Sequence, residues 1–278
     1  MCAADVGAAA LLLGALVLAE VAPARRRFLR PVDLPAVSFP LEDNTVPSWS
    51  VPVVNLAFPL AVMAAHVTVF RPAPGPWRVF RRAVVGLLFA TLVNGVLTDA
   101  IKNMVGRPRP DMLSRCFPGG VPDPVPFAAP GVPACENDDP EGWKSFPSGH
   151  SSWYFCGMGY ISLYLAAFSR VGQGLSGLGG SPAALVTCLA PVSAALLVAV
   201  SRVMDYRHNP SDALAGSLLG LACAWVFFWQ QVGAPLARER ARLRREGSGG
   251  GGLRGGGGGS GCEREELPLV LGQPLEAL

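Results

Sequence analysis

Six long apolar stretches, separated by shorter polar segments, dominate this chain. They lie at Val6–Ala22, Val51–Phe70, Ala83–Ile101, Ser152–Phe168, Ala183–Val200 and Ala213–Gln230. Each is close to the roughly 20 residues that a helix needs to cross a bilayer core. Only helices and closed barrels satisfy backbone hydrogen bonds in lipid, and the alternating strands of a barrel are not seen in this sequence. The sequence therefore predicts an all-α fold, a polytopic membrane helical bundle with six transmembrane helices.

The overall composition agrees with a membrane protein. Only 15% of the residues are charged, whereas soluble domains carry about 25%. The first apolar stretch has Asp5 as its only preceding charge, so we expect a retained span rather than a signal peptide. In the last stretch, Gly216, Ser217 and Gly220 would let neighbouring helices approach closely, although simple tolerance of small residues is the alternative.

The character of the chain changes near its C-terminal end. We expect residues 1–236 to form the membrane domain, and residues 237–278 to form a basic juxtamembrane stub with a glycine-rich tail. The arginines of the stub could contact anionic lipid headgroups or could simply be solvated. The tract Gly247–Gly261 is expected to stay disordered, because glycine loses much backbone entropy on ordering.

The distribution of arginines suggests an orientation. An even number of spans places both termini on one side, and the arginine-rich tail predicts that this side is cytosolic. The loops after the third and fifth spans then face the exoplasmic side, lumenal or extracellular. The cluster Arg25–Arg30 follows the first span and argues against this orientation.

Three short motifs flank these apolar stretches: Lys102–Pro110 (KNMVGRPRP), Pro147–His150 (PSGH) and Ser201–Asp212 (SRVMDYRHNPSD). The number of spans between them places all three on one face. Transfer of a phosphoryl group needs fixed cations and N–H groups around its oxygens, an in-line nucleophile and a proton donor for the leaving oxygen. The motifs contain all of these residue types.

Two of the three histidines lie in the motifs, whereas His66 lies inside the second span and is interpreted as structural. Asn209 and Pro210 after His208 form a good helix start. Asp212 would then lie in the first turn, able to reach the ring of His208 and hold one nitrogen while the other attacks, as in a Ser-His-Asp triad. The alternative is that Asp212 only complements the helix dipole.

The PSGH motif is also a helix entry, with Ser145 as the expected cap and Pro147 as the first helical residue. The unpaired N–H groups of Ser148 and Gly149 can then point at an anion. His150 follows and is placed to act as the acid. By itself this motif is weak, because many loops start helices in this way.

Three basic residues, Lys102, Arg109 and Arg202, would supply positive charge to the phosphoryl group. Anchoring by the positive-inside rule is the rival explanation for any one of them. Four further basic residues near the motifs receive no role: Arg107, Arg115, Lys144 and Arg207.

In this order, the three motifs resemble those of the type 2 phosphatidic acid phosphatase superfamily. Flanking segments resemble the lipid phosphate phosphatases of plants, and they lie at Asp43–Pro52, Val105–Met112, Arg115–Gly120 and Lys144–Trp153. The resemblance covers about residues 20–230. The chain departs from the family at Asn209–Ser211, where bulkier residues are expected, and this difference bears on the substrate entrance.

The resemblance implies a mechanism as well as a substrate class. It implies that His208 attacks phosphorus to give a phosphohistidine, that His150 protonates the leaving alcohol and that Asp212 orients His208. The residues implied to hold the phosphoryl oxygens are Lys102, Arg109, Ser148, Gly149 and Arg202. The implied substrates are phosphatidate, diacylglycerol pyrophosphate and lysophosphatidate in a bilayer, with no metal, no cofactor and no nucleic-acid partner.

Other functions remain open at this point. A polyprenyl-diphosphate phosphatase, a sugar-phosphate phosphatase or a non-catalytic lipid-binding protein would share much of this pattern. A vanadate haloperoxidase is disfavoured by the spans, and a transporter by the position of the motifs at the span boundaries. Cys116 and Cys135 lie in one long loop and could form a disulfide if that loop faces an oxidising compartment.

Overall fold

The computed structural model describes residues 3–69, 76–168 and 182–248, and nearly all of the regular structure in these ranges is helical. The helices are α1 (Ala3–Val21), α2 (Ser50–Val69), α3 (Pro76–Val105), α4 (Met112–Cys116), α5 (Gly149–Phe168), α6 (Pro182–Met204), α7 (Pro210–Phe228) and α8 (Ala234–Ser248). A π-helical turn, Trp229–Gly233, joins α7 to α8. The predicted all-α class is confirmed.

Five helical segments of the described part are long and apolar enough to cross a membrane. They are Ala3–Val21, Ser50–Val69, Trp77–Val105, Pro182–Met204 and Pro210–Glu239. The remaining predicted span, Ser152–Phe168, falls in α5, which is 20 residues long but is not among the five. A crossing by α5 therefore stays a prediction.

Helix α5 differs from the others because it lies at the centre of the bundle. It packs against α2, α3, α6 and α7, and eleven of its residues are buried. By contrast, α1 has no buried residue, contacts α3 along one side and presents apolar side chains on its other faces. Serine and tyrosine side chains are tolerated in α5 because they face neighbouring helices and find hydrogen-bond partners there.

Small residues set the distance between α5 and α7. A Cβ atom on Gly216 would lie 3.2 Å from the Cβ of Ser151, and one on Gly220 would lie 2.8 Å from the backbone nitrogen of Cys156. The predicted close approach through these glycines is thus confirmed. Ser217 contributes a hydroxyl that donates to the carbonyl of Ala213 within α7.

The segment between α3 and α5 packs at the end of the bundle that carries the motifs. It contains a small antiparallel hairpin of β1 (Phe127–Ala129) and β2 (Val132–Pro133). A disulfide joins Cys116 to Cys135. Its apolar core includes Leu113 and Trp143, and Leu29 from the segment after α1 packs into the same cluster.

The Arg25–Arg30 cluster lies at this same end of the molecule. The backbone nitrogen of Arg25 donates to the carbonyl of Asn103 at the end of α3. Arg26 forms an ion pair with Asp138 at 2.5 Å, and Arg30 pairs with Asp33 at 2.9 Å. Two of these arginines therefore have carboxylate partners next to them, so the cluster carries less excess charge than its sequence indicates.

The C-terminal region is only partly described. Residues after α7 continue as the basic helix α8 to Ser248, which includes part of the predicted basic stub. The tract Gly247–Gly261 was predicted to be disordered, but its first two residues, Gly247 and Ser248, belong to α8. The rest of the tract lies outside the described residues.

Candidate active site

A cavity of about 710 Å³ lies where the three motifs meet. Six of the eight predicted site residues line it: Lys102, Arg109, Gly149, His150, Arg202 and His208. The fold brings them together because the end of α3, the start of α5 and the end of α6 lie at the same end of the bundle. The other two predicted residues, Ser148 and Asp212, are fully buried beneath the lining.

His208 lies in the turn between α6 and α7 and is only 3% exposed. Its Nδ1 is 2.7 Å from the backbone carbonyl oxygen of Ser145. A carbonyl oxygen can only accept, so this bond puts the proton on Nδ1 and leaves the lone pair on Nε2. Burial, with the charges of Arg109 and Lys102, holds the pKa of His208 well below its usual value. The imidazole is therefore neutral near pH 7 and chemically suited to act as a nucleophile.

The contact predicted between Asp212 and His208 is replaced by another one. The Asp212 carboxylate accepts hydrogen bonds from the Ser145 hydroxyl at 2.6 Å, the Asn209 backbone nitrogen at 2.9 Å and Arg107 Nη1 at 2.6 Å. Asp212 is the third residue of α7, and the bond to Asn209 turns its carboxylate back onto the helix start. The nitrogen of His208 is held instead by a backbone carbonyl.

The start of α5 also differs from the prediction. The helix begins at Gly149, so Pro147 precedes it, and the Ser145 hydroxyl bonds Asp212 instead of capping the helix. The backbone nitrogen of Ser148 donates to the carbonyl of Asp212 at 2.9 Å. The Ser148 N–H group is therefore not free to bind an anion. Of the two residues predicted to donate from their backbone, Ser148 and Gly149, Gly149 lines the cavity and Ser148 does not.

Lys102 lies directly against Gly149. A Cβ atom on Gly149 would lie 2.9 Å from Lys102 Nζ, so the glycine makes room for the ammonium group. Asp99, one turn earlier in α3, lies 3.3 Å from the same nitrogen and holds it in place. The absence of a side chain at position 149 therefore serves the placement of a cation as well as the approach of a ligand.

The two predicted arginines are each held by an acidic neighbour. Arg109 Nη2 lies 3.0 Å from Glu141, and burial lowers the pKa of this guanidinium without neutralising it. Arg202 is 1% exposed, pairs with Asp205 and donates from Nη1 to the side-chain oxygen of Asn44 at 2.9 Å. Such pairing preorganises the donors around the cavity before an anion arrives.

His150 lies just before the predicted fourth span and lines the cavity. Among the described residues its Nε2 is buried without a hydrogen-bond partner. Burial, followed by the charges of Arg202, Arg109 and Lys102, lowers its pKa to about 4. A phosphate dianion bound among these cations would offset their charge and raise that pKa, which is the condition for His150 to act as an acid.

Arg115 and Arg207, which received no role from the sequence, also line the cavity. Both bind the fully buried Asp111, at 3.0 Å and 2.9 Å. The sequence feature that could have indicated this pair is Asp111, a carboxylate directly after the Arg-Pro-Arg-Pro segment. The cavity also has an apolar part, lined by Leu41, Val51, Pro52 and Trp153.

Comparisons with known proteins indicate the family of the chain. The model of the PAP2 superfamily matches residues 83–234. The chain is 40% identical to lipid phosphate phosphatase 2 of Arabidopsis thaliana, over 73% of the chain and 68% of the relative. It is 40% identical to lipid phosphate phosphatase 1 of the same plant, over 70% of the chain and 57% of the relative.

A fungal relative is also similar. The chain is 36% identical to the probable diacylglycerol pyrophosphate phosphatase 1 of Schizosaccharomyces pombe, over 58% of the chain and 57% of the relative. In these alignments the chain thus spans 57% to 68% of the relatives' own length. No solved structure matches the chain significantly.

Proposed function

Since the chain belongs to the PAP2 superfamily, we propose that it is an integral membrane lipid phosphate phosphatase that works through a phosphohistidine at His208. The observation that carries the proposal is the state of that residue. Its Nδ1 is bonded to a carbonyl, burial and nearby cations hold its pKa well below the usual value, and it lines a cavity that also contains His150 and several fixed cations.

The proposed reaction has two steps. In the first, His208 Nε2 attacks phosphorus, the bond from phosphorus to the lipid oxygen breaks, and His150 gives its proton to that oxygen. In the second, water attacks the phosphohistidine, His150 takes a proton from the water, and inorganic phosphate leaves. Lys102, Arg109 and Arg202, with the backbone N–H of Gly149, stabilise the charge on the phosphoryl oxygens in both steps.

The substrates that we propose are phosphatidate, diacylglycerol pyrophosphate and lysophosphatidate. The cavity combines a cationic part with an apolar part, and such a combination suits a phosphate attached to an acyl-bearing group. The names of the relatives support the same class. Among the described residues, no three histidine, cysteine or acidic side chains come together as metal ligands. We therefore propose a reaction that needs no metal.

Phosphate release by the purified protein tests this function. With EDTA present, we expect turnover of phosphatidate and diacylglycerol pyrophosphate at the same rate as without EDTA, because side chains alone supply the positive charge. The His208→Ala variant is the control for contaminating phosphatases. Activity that EDTA abolishes and Mg²⁺ restores would contradict the metal-free reaction, and a strong preference for a polyprenyl diphosphate would favour the alternative substrate class.

We also propose that the active site faces the exoplasmic side of the membrane. The Cys116–Cys135 disulfide belongs to the segment that packs over the active-site end, and disulfides persist in oxidising compartments. The arginine-rich helix α8 belongs to the opposite end by span count, in keeping with a cytosolic location. The ion pairs of Arg26 and Arg30 weaken the objection raised by the Arg25–Arg30 cluster.

Labelling with a membrane-impermeant maleimide tests the orientation. In intact cells that carry the protein in the plasma membrane, we expect a Gly119→Cys variant to react and a Trp77→Cys variant to react only after permeabilisation, because these exposed positions lie at opposite ends of the bundle. Cys2 and Cys262 are replaced by serine in both variants. The reverse labelling pattern would place the active site in the cytosol and leave its chemistry unchanged.

A further inference from the structure

Ser145 lies two residues before the PSGH motif and forms hydrogen bonds to both of the other motif segments. It is fully buried. Its carbonyl oxygen accepts from His208 Nδ1 at 2.7 Å, its hydroxyl donates to Asp212 Oδ2 at 2.6 Å, and its backbone nitrogen donates to the carbonyl of Arg107 at 3.0 Å. One residue therefore joins the nucleophile, the buried carboxylate and the segment after α3.

Arg107 closes this arrangement into a ring. Its Nη1 donates to Asp212 Oδ1 at 2.6 Å, while its carbonyl accepts from Ser145. The carboxylate of Asp212 thus holds Ser145 directly and Arg107 through a charge-assisted bond. Both contacts restrain the backbone around position 145.

The ring determines where the Ser145 carbonyl points. A peptide group is planar, so restraint of the backbone around the carbonyl limits the direction of its oxygen. That oxygen in turn sets the orientation and tautomer of the His208 ring, whose Nε2 must align with phosphorus to within a fraction of an ångström. An alanine at position 145 would keep the carbonyl but would lose the bond between the hydroxyl and Asp212.

We propose that Ser145 is a positioning residue through which Asp212 acts on His208. The inference rests on the proposed function, because it gives the Asp212 carboxylate an indirect role in orienting the nucleophile His208 of that phosphatase site. Asp212 orients the serine, and the serine orients the histidine.

The Ser145→Ala variant tests this inference against Ser217→Ala as a matched control. Both serines are buried, but the Ser217 hydroxyl bonds the carbonyl of Ala213 within its own helix and makes no hydrogen bond to the motif histidines among the described residues. We expect Ser145→Ala to lower kcat about tenfold, as expected for loss of one hydrogen bond to a charged group. KM should stay within about twofold, because the cations that bind the phosphate are untouched. The rate of phosphoenzyme formation should fall with kcat. An unchanged kcat in Ser145→Ala would overturn the proposal.

A double-mutant cycle separates positioning from a purely structural role. If Asp212 acts through Ser145, adding Ser145→Ala to Asp212→Asn should lower kcat little further. Fully additive losses would overturn the proposal, because Asp212 would then act on His208 by another route.

If Ser145→Ala does not fold, Ser145→Cys keeps the volume with a much weaker donor, and a kcat equal to wild type in that variant would also overturn the proposal. A wild-type protein without turnover would overturn the proposed function together with this inference, whereas wild-type turnover with unaffected Ser145 variants removes the inference alone.

Discussion

Replacing His208 with alanine is expected to lower kcat by at least about 10⁴-fold, as loss of a nucleophile does in other enzymes with covalent intermediates. The same variant should form no phosphoenzyme when it is mixed with radiolabelled phosphatidate and quenched. The reason is that the neutral imidazole, held through Nδ1, supplies the nitrogen that attacks phosphorus. The measurement is phosphate release combined with trapping of the labelled protein.

His66 provides the matched control. It is the third histidine of the chain, and its Nδ1 lies 2.9 Å from the hydroxyl of Tyr164 in the bundle interior. His66→Gln should retain turnover within a few-fold.

The His150→Ala variant should still form a phosphoenzyme with an aryl phosphate, because a good leaving group needs little help from an acid. A labelled phosphoenzyme in His208→Ala that disappears in His150→Ala would exchange the two roles.

The second large effect concerns the packing of α5 against α7. Gly220→Val is expected to destabilise the protein by about 3 kcal/mol or more, since overpacking of a tight interface is costly. A side chain at this position would meet the backbone of Ser152 and Cys156, and backbone atoms cannot move aside without separating the helices. Thermal unfolding in detergent measures the change, and activity should fall as well because the start of α5 carries Gly149 and His150.

Gly14→Val is the matched control for this substitution. Gly14 lies in α1, and a Cβ atom there would meet no atom of another described segment within 4 Å. This variant should unfold at nearly the wild-type temperature. Equal destabilisation of both variants would show that the loss comes from valine in a helix and has little to do with the interface.

Much of the architecture could be predicted from the sequence. Length and hydropathy are local properties, and five of the six predicted spans are confirmed as helices able to cross a membrane. The exception is instructive, because α5 is buried among its neighbours and does not need an apolar surface. A hydropathy pattern describes what a helix shows to lipid, so it says least about the helix at the centre of the bundle.

The sequence predicted which residues form the site better than it predicted the contacts that they make. Six of the eight predicted residues line the cavity, whereas Ser148 and Asp212 lie beneath it. The sequence also gave no role to Arg115 and Arg207, whose partner Asp111 is buried with them. Spacing within a motif predicts which side chains share a helix turn. It cannot predict which hydrogen-bond donors and acceptors from distant segments these side chains will bind.

The sequence by itself determined the helical class, five stretches able to cross a membrane, the two motif histidines and three of the cations near them. Each of these follows from properties of neighbouring residues, namely hydropathy, helix-start preference and charge. The tertiary structure decided how the polar groups are paired. Ser145 lies 67 positions from Asp212 and 63 from His208, and Arg107 lies 105 positions from Asp212. Such bonds form only because packing of α5 against α7 brings distant buried groups within reach, and each of these groups must then find a partner.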